Sequence, residues 1–337
     1  MNRFCRHNRF IERCPLCRET VPGLAPPEGE RRGTRTRSAE GATSAAGVKR
    51  GPRRSRGAAA LRVRQETRAQ DDGYRAALVP GLRASQDAER LAEEIAFAEG
   101  RLIAIRAAPP DLYGEIRDQE DEEQATWMCF LSAYLSPLET EDPFVGIRLA
   151  LQADWRAGEL PDLSEIPLGP RTSHDPTRGE ATLQAYLQWA HALDTESDGQ
   201  HSVFLGDPAW TAQRRFERVF ERLRLPGMAR MSRYDLLVTL GRIGLYELSA
   251  DSLHLAGARA GEGQDLATVA AKRLFGIGEP LVLERRARQL AQEMSVPLEA
   301  LDLAFANWGA GERATLGVPA EVLDAHTLER ARAALEL

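Results

Sequence analysis

The chain has 337 residues, 43% of them apolar, which is enough to bury at least one large hydrophobic core. No stretch approaches the ~18 apolar residues that a membrane span needs, and no basic-then-apolar signal peptide pattern is found. The sequence therefore argues against a membrane-spanning protein and predicts a soluble protein of the cytoplasm.

Charge is distributed unevenly along the chain, although the formal net charge is only −6. Residues 1–70 hold 17 Lys/Arg against six Asp/Glu, so the rest of the chain is strongly acidic. A basic arm on an acidic body suits a polyanionic partner, because phosphate contacts attract without regard to sequence. The alternative is a solvated tail without a partner.

The first 19 residues contain a candidate metal site. Cys14 and Cys17 have the two-residue spacing of a zinc knuckle, and Cys5 and His7 would complete a tetrahedral set. This pattern predicts a structural zinc ion within residues 1–19, and the sequence suggests no other cofactor. The alternative is a reduced N-terminus without metal, since one CxxC and one CxH are half of the usual signature.

Residues 20–72 are predicted to form a disordered basic linker. Their composition is dominated by Gly, Pro, Ala, Ser, Thr and Arg, with almost no large apolar residue. Such a segment cannot bury enough apolar surface to offset the entropy lost on ordering.

From residue 84 to residue 337 the apolar spacing predicts one domain of consecutive helices. A Ser–Asp cap signal opens the first, and core positions recur at helical spacing in the first two: Leu91, Ile95, Leu102, Ile105, Trp127, Phe130, Leu131 and Tyr134. Further helices are expected over 143–156, 178–193, 207–224, 232–245, 264–275, 279–294, 297–308 and 320–335. Strand-like alternation is nearly absent, so the predicted fold class is all-α.

A short break between two predicted helices, Leu225-Pro226-Gly227, is the first candidate binding element. Pro226 cannot continue a helix, Gly227 allows a turn with positive φ, and Ser232 is an N-cap candidate for the next helix. Two interpretations stay open. The stretch is either a simple break or a hairpin whose backbone amides bind a phosphate.

The segment after this hairpin carries a candidate catalytic carboxylate, Asp251, which lies in a polar turn 24 residues after Gly227. A hairpin, a helix and then an Asp–Ser pair resemble the helix-hairpin-helix DNA glycosylases. The resemblance implies that fold, a phosphate grip running from Leu225 to Arg230 with Arg233 beside it, and Asp251 as the group that stabilises positive charge on a flipped nucleotide. The alternative for Asp251 is a helix cap.

Two departures from the glycosylase pattern limit what the resemblance implies. Ala229 stands where the hairpin has its second glycine, and this weakens close approach of the backbone to a phosphate. No lysine lies near Met231, where bifunctional glycosylases carry their nucleophile, so lyase chemistry through that position is not expected.

A second glycine turn follows Lys272, the one lysine after residue 49 in a chain that otherwise uses arginine. Gly276 and Gly278 form this turn, and Arg273 and Arg285 flank it. These residues predict a cationic, phosphate-binding face with Lys272 as a candidate catalytic group. The alternative is a solvated helix surface.

Three stretches together resemble clade 3 of the alpha-glutamyl/putrescinyl thymine pyrophosphorylase family: FLSAYLSPLETEDPFVGI, FERVFERLRLPGMARMSRYDLLVTLGRIGLYELSADSLHL and AAKRLFGIGEPLVLERRARQLA. The resemblance spans residues 85–335, and RHNRFIERCPLC near the N-terminus agrees with it. It implies an enzyme that replaces the pyrophosphate of a pyrophosphorylated 5-hydroxymethyluracil in DNA with an amine such as glutamate or putrescine.

The same resemblance implies roles for the candidate residues. Asp251 would stabilise the cationic carbon or accept the proton of the amine, and Lys272, Arg273 and Arg285 would neutralise the leaving pyrophosphate. The implied partners are DNA and an amine or amino-acid co-substrate, with no membrane. Two alternatives remain, a monofunctional DNA glycosylase and a non-catalytic DNA-binding protein of the same fold. The sequence does not define the oligomeric state.

Overall fold

The computed structural model describes residues 69–196, 199–255 and 265–337. Within these ranges it contains twelve α-helices and no strand, which confirms the all-α prediction. The helices are α1 (Ser85–Ala107), α2 (Leu112–Arg117), α3 (Glu122–Leu135), α4 (Val145–Ala150), α5 (Ala181–Glu196), α6 (Gly199–Leu205), α7 (Ala212–Arg222), α8 (Arg230–Ile243), α9 (Leu266–Phe275), α10 (Pro280–Met294), α11 (Leu298–Ala310) and α12 (Ala325–Ala334). None of the described helices is long and apolar enough to cross a membrane.

The core lies where the apolar spacing predicted it. The first two predicted helices correspond to α1 and α3, and all eight core positions expected in them are buried. The α1 helix packs on α11 and α12, and α3 packs on α8. Each large apolar side chain buried in this way contributes roughly 1.5–3 kcal/mol relative to an exposed one. The predicted zinc knuckle and linker lie almost entirely outside the described residues.

Two details of helix initiation differ from the sequence-based expectation. The α8 helix begins at Arg230, with Ala229 as an N-cap that makes no side-chain hydrogen bond, so Ser232 is not its cap. The Ser232 hydroxyl is buried and pairs instead with that of Ser173. Likewise α1 begins at Ser85 without a side-chain cap, because its N-cap residue is Ala84, which has no polar side chain; the Ser85 hydroxyl hydrogen-bonds Asp72.

A buried ion-pair network joins α8, the start of α9, α11 and the segment before α5. Arg230 contacts Asp265 at 2.9 Å and Asp302 at 2.6 Å, and Arg171 contacts the same Asp302 at 3.2 Å and Asp235 at 3.1 Å. Burial alone would lower the pKa of Arg230, but the charges of Asp302 and Asp265 outweigh it and raise the pKa. The network fixes the start of α8 against α9 and α11.

Candidate active site

Residues 249–255, which we call the clamped loop, follow α8 and are held by two buried glutamates. The Glu299 carboxylate on α11 accepts the Ala250 amide at 2.9 Å, and the Glu284 carboxylate on α10 accepts the amides of Leu253 and Leu255 at 2.9 and 2.7 Å. From α8, Arg230 donates to the Leu253 carbonyl at 2.8 Å. Charged hydrogen bonds of this kind are strong when buried, so the loop backbone has one well-defined position.

Asp251 lies on the clamped loop between these two anchors. Its side chain is exposed, and within the described ranges it accepts no hydrogen bond. No helix begins at residues 252–254, so in the part of the chain that the structure describes Asp251 does not act as a helix cap. The loop therefore presents a solvent-facing carboxylate on a rigid support.

His254, also on the clamped loop, has the strained backbone angle φ +55° and stacks on Phe220 with ring centroids 3.8 Å apart. Burial lowers the pKa of His254 to about 4, and nearby positive charges such as that of Arg230 act in the same direction. The ring is thus neutral near pH 7. Its Nε2 lies 3.4 Å from a carboxylate oxygen of Glu217 on α7 but makes no hydrogen bond.

Glu217 connects α7 electrostatically to the clamped loop. Partial burial raises the pKa of its half-exposed carboxyl, and repulsion from Glu221 and Asp251 adds to the shift. The charge of Asp251 on the clamped loop therefore acts on the carboxyl of Glu217 on α7.

The α7–α8 connection is a tight turn, as the Pro-Gly pair predicts. The Met228 amide donates to the Leu225 carbonyl at 3.2 Å, and Gly227 has φ +78°. A Cβ on Gly227 would lie 2.1 Å from the Thr182 hydroxyl. Glycine is therefore required because the turn packs closely against Thr182 on α5. Leu225 and Gly227 are both partly exposed.

The two arginines expected beside the turn do not face solvent. Arg230 is 3% exposed and serves the ion-pair network and the clamped loop. Arg233 is 4% exposed, donates to the Phe220 carbonyl and stacks on that ring at 4.4 Å. Both are therefore buried and not on a DNA-facing surface in this structure, Arg230 in ion pairs with Asp265 and Asp302 and Arg233 against Phe220.

The second predicted turn lies between α9 and α10. Gly276 caps α9 with φ +64°, and its turn is covered on one side by Gly81, whose amide donates to the Leu274 carbonyl at 2.8 Å. Gly278 has no heavy atom within 4 Å of its ideal Cβ, so it faces open space. The Glu279 carboxylate caps the start of α10 and thereby occupies the helix amides that would otherwise attract a phosphate.

The cationic residues around this turn differ in their environments. Lys272 and Arg285 are exposed, and neither makes a hydrogen bond or ion pair within the described ranges. Arg273 is partly buried and stacks on Trp308 at 4.7 Å. Lys272 and Arg285 are thus the members of the predicted face that are open to an anion.

The predicted zinc ligands Cys5, His7, Cys14 and Cys17 lie outside the described residues. Among the residues that are described, no group of three or more His, Cys, Asp or Glu side chains is arranged to hold a metal ion. Cys129, the fourth cysteine, is buried in the core as its apolar context predicts.

Sequence reasoning did not identify the residues that support and surround Asp251. Glu284 belongs to a run of arginines and resembles a surface residue, and Glu299 opens an apolar helix. No local sequence pattern indicates Glu217, because its neighbour His254 lies on a different element of the fold. The hydrogen bonds that Glu284 and Glu299 make with the clamped loop join residues that are 29 to 50 positions apart in the sequence.

In the residues that the structure describes, the fold is helical and presents the carboxylate of Asp251 from the clamped loop. Residues 171–314 match the family model described as alpha-glutamyl/putrescinyl thymine pyrophosphorylase clade 3, which confirms the resemblance over that segment. The matched segment includes both turns, the clamped loop and its two glutamate anchors. No curated protein and no solved structure matches the chain.

Proposed function

We propose that the protein replaces the pyrophosphate of a pyrophosphorylated 5-hydroxymethyluracil in DNA with an amine. The family description of residues 171–314 supports this class of reaction. The observation that carries the proposal is the exposed carboxylate of Asp251 on a loop whose backbone is fixed by Glu284 and Glu299. A catalytic group carried on a backbone that is fixed in this way needs less reorganisation in the transition state.

The chemistry requires a proton acceptor and stabilisation of charge. The amine nitrogen forms a bond to the exocyclic carbon, while the carbon–oxygen bond breaks and pyrophosphate leaves with the electron pair. Asp251 accepts the proton that the amine loses and stabilises the cationic carbon. The base must leave the helical stack to reach this carboxylate.

The exposed cations around the second turn supply a site for phosphate groups. Lys272 and Arg285 carry charges without intramolecular partners in the described ranges, so they can pair with DNA phosphates or with the leaving pyrophosphate. Arg273, stacked on Trp308, completes this face. The basic residues 1–70 add affinity for DNA that does not depend on sequence, and we place the reaction in the cytoplasm.

The test is incubation of the full-length protein with duplex DNA that carries the pyrophosphorylated base, with putrescine or glutamate as the amine. Nucleoside mass spectrometry should detect the amine-substituted thymine. Abasic sites would instead identify a monofunctional glycosylase, which the same carboxylate also suits. DNA binding without any product would identify a non-catalytic protein of this fold.

A further inference from the structure

The first turn of α10 presents an apolar side chain to solvent. Leu281 is 78% exposed, which makes it the most exposed of the large apolar side chains in the described ranges. Ile277, on the connection before α10, is 40% exposed as well. A leucine exposed to this degree gains little from packing inside the protein. Its side chain is therefore available for contact with another molecule.

The helical register places Leu281 in line with two arginines. At about 100° per residue, Leu281, Arg285 and Arg288 lie within about 60° of one another around the α10 axis, and all three are exposed. Residues three or four apart on a helix are neighbours, with Cβ atoms roughly 5–6 Å apart. The three side chains thus form a continuous line over two turns, which we call the α10 stripe.

The charge of the α10 stripe has no counterpart on the protein within the described ranges. Neither Arg285 nor Arg288 makes an ion pair or a hydrogen bond there, and the exposed Lys272 lies on α9 before the same turn. The surroundings are acidic, because the chain after residue 70 holds 27 Lys/Arg against 44 Asp/Glu. The stripe is a local departure from that charge, and its arginines suit the phosphates of a polyanion.

The start of α10 holds the backbone of Leu281 in place and keeps phosphates away from it. Pro280 fixes the first helical residue, and the Glu279 carboxylate accepts the amides of Leu281 and Val282 at 3.2 and 2.8 Å. This carboxylate occupies the amides that would attract a phosphate and repels a phosphate by its charge. Contact at this end of the stripe therefore favours bases, while phosphates meet the arginines further along.

The α10 stripe adjoins the residue that anchors the clamped loop. Glu284 lies three residues after Leu281 and four before Arg288, so it is a neighbour of both on the helix surface. Its buried carboxylate accepts the amides of Leu253 and Leu255. DNA on the stripe would thus lie on the side of α10 next to the loop that carries Asp251.

We propose that the α10 stripe is a surface for duplex DNA, on which Arg285 and Arg288 pair with phosphates and Leu281 enters the stack beside the nucleotide that leaves it. This inference rests on the proposed function and adds Leu281 and Arg288 to it. An apolar side chain between base steps partly replaces the stacking that is lost when DNA is kinked. The fixed backbone of Leu281 lowers the cost of ordering this contact.

The charged part of the stripe is tested by titrating the full-length protein with duplex DNA at a series of salt concentrations. Arg285→Gln and Arg288→Gln should weaken binding, and each should reduce the slope of log affinity against log salt by about 0.9. Arg106→Gln is the matched control, because Arg106 is an exposed arginine on α1 without an ion pair in the described part of the chain. It should leave the slope unchanged, as should Leu281→Ala, which removes no charge.

The apolar part is tested with a duplex that carries 2-aminopurine beside a mismatched thymine, because the fluorescence of this base rises when it loses stacking. At protein concentrations that saturate the DNA, Leu281→Ala should reduce the rise seen with the wild type by about half or more. Leu149→Ala is the matched control, since Leu149 on α4 is 42% exposed. This control should give the full rise. The same variants are titrated with vesicles of anionic phosphatidylglycerol.

The outcomes separate this surface from the proposed function. Unchanged salt slopes in both arginine variants overturn the surface, and a full fluorescence rise in Leu281→Ala, or none in the wild type, overturns the insertion. Losses that appear with the vesicles and not with DNA assign the stripe to a membrane and overturn the proposal. Amine transfer by the wild type, with DNA binding unaffected in the variants, overturns the stripe and leaves the function standing. The expected losses in variants of a wild type that transfers no amine support the stripe and contradict the function.

Discussion

Asp302 on α11 accepts a 2.6 Å hydrogen bond from Arg230, the first residue of α8, and the two side chains are 1% and 2% exposed. Arg230 also holds the Leu253 carbonyl, so this pair links the core to the clamped loop. Arg230, which the sequence places in the predicted phosphate grip, thus has a structural role. The site depends on the pair because the loop that carries Asp251 depends on Arg230.

Asp302→Asn should destabilise the protein by about 3–5 kcal/mol, because it leaves two buried arginines short of a negative charge. Urea denaturation of the wild type and the variant measures this difference. Asp118→Asn is the control, since Asp118 is 74% exposed and pairs with Arg117 at the surface. A loss below 1 kcal/mol in Asp302→Asn would show that the network relaxes and would contradict its role as an anchor.

Gly227→Ala should destabilise the fold by about 2–4 kcal/mol, from a positive φ and from a clash with Thr182. Gly244→Ala separates the two causes, because Gly244 also has positive φ but nothing lies within 4 Å of its Cβ position. That control should lose only the strain, about 1–2 kcal/mol. Adding Thr182→Ala to Gly227→Ala should recover part of the loss. Thermal melts that show equal losses for the two glycine variants would refute the clash.

Stability should fall between pH 6.5 and pH 4 in a manner that depends on His254. The unfolded chain binds the imidazole proton near pH 6.5, while the folded chain binds it only at about 4, so acid favours the unfolded state across this window. His254→Phe removes this contribution, which is on the order of 3 kcal/mol. Urea titrations of the wild type and His254→Phe at several pH values give the slope of the unfolding free energy against pH for each protein. Identical slopes would mean that the folded histidine protonates normally.

The purified full-length protein should contain one zinc ion per chain if Cys5, His7, Cys14 and Cys17 form a site. Cys14→Ser should then release the metal while the helical signal in circular dichroism stays unchanged. Elemental analysis measures the stoichiometry. Metal-free wild-type protein purified without chelators would end the zinc hypothesis.

Local sequence patterns were sufficient for the helices with a strong apolar stripe. The expected 279–294 helix is α10 (Pro280–Met294), because Pro280 and Glu279 are typical of a helix start and the apolar spacing is regular. Short elements were missed. The helices α2 (Leu112–Arg117) and α6 (Gly199–Leu205) have too few turns to show a helical period.

The site was only partly accessible to sequence reasoning, because its supporting contacts are long-range. Asp251 was singled out because a hairpin, a helix and an Asp–Ser pair resemble the helix-hairpin-helix DNA glycosylases, and the structure places its side chain in solvent. The burial of Arg230 could not be foreseen, since it follows from Asp265 and Asp302, which lie 35 and 72 residues further along the chain. Charge patterns alone do not distinguish a surface arginine from one that pairs inside a core.

The most direct test of the account is the effect of Asp251→Asn on amine transfer to DNA that carries the pyrophosphorylated base. The side chain is exposed and makes no hydrogen bond within the described ranges, so stability and DNA affinity should change little. The rate of amine incorporation, followed by nucleoside mass spectrometry, should fall by at least about 100-fold, because the lost charge acts mainly in the transition state. Wild-type rates in the Asp251→Asn protein would contradict the assignment of this loop as the active site.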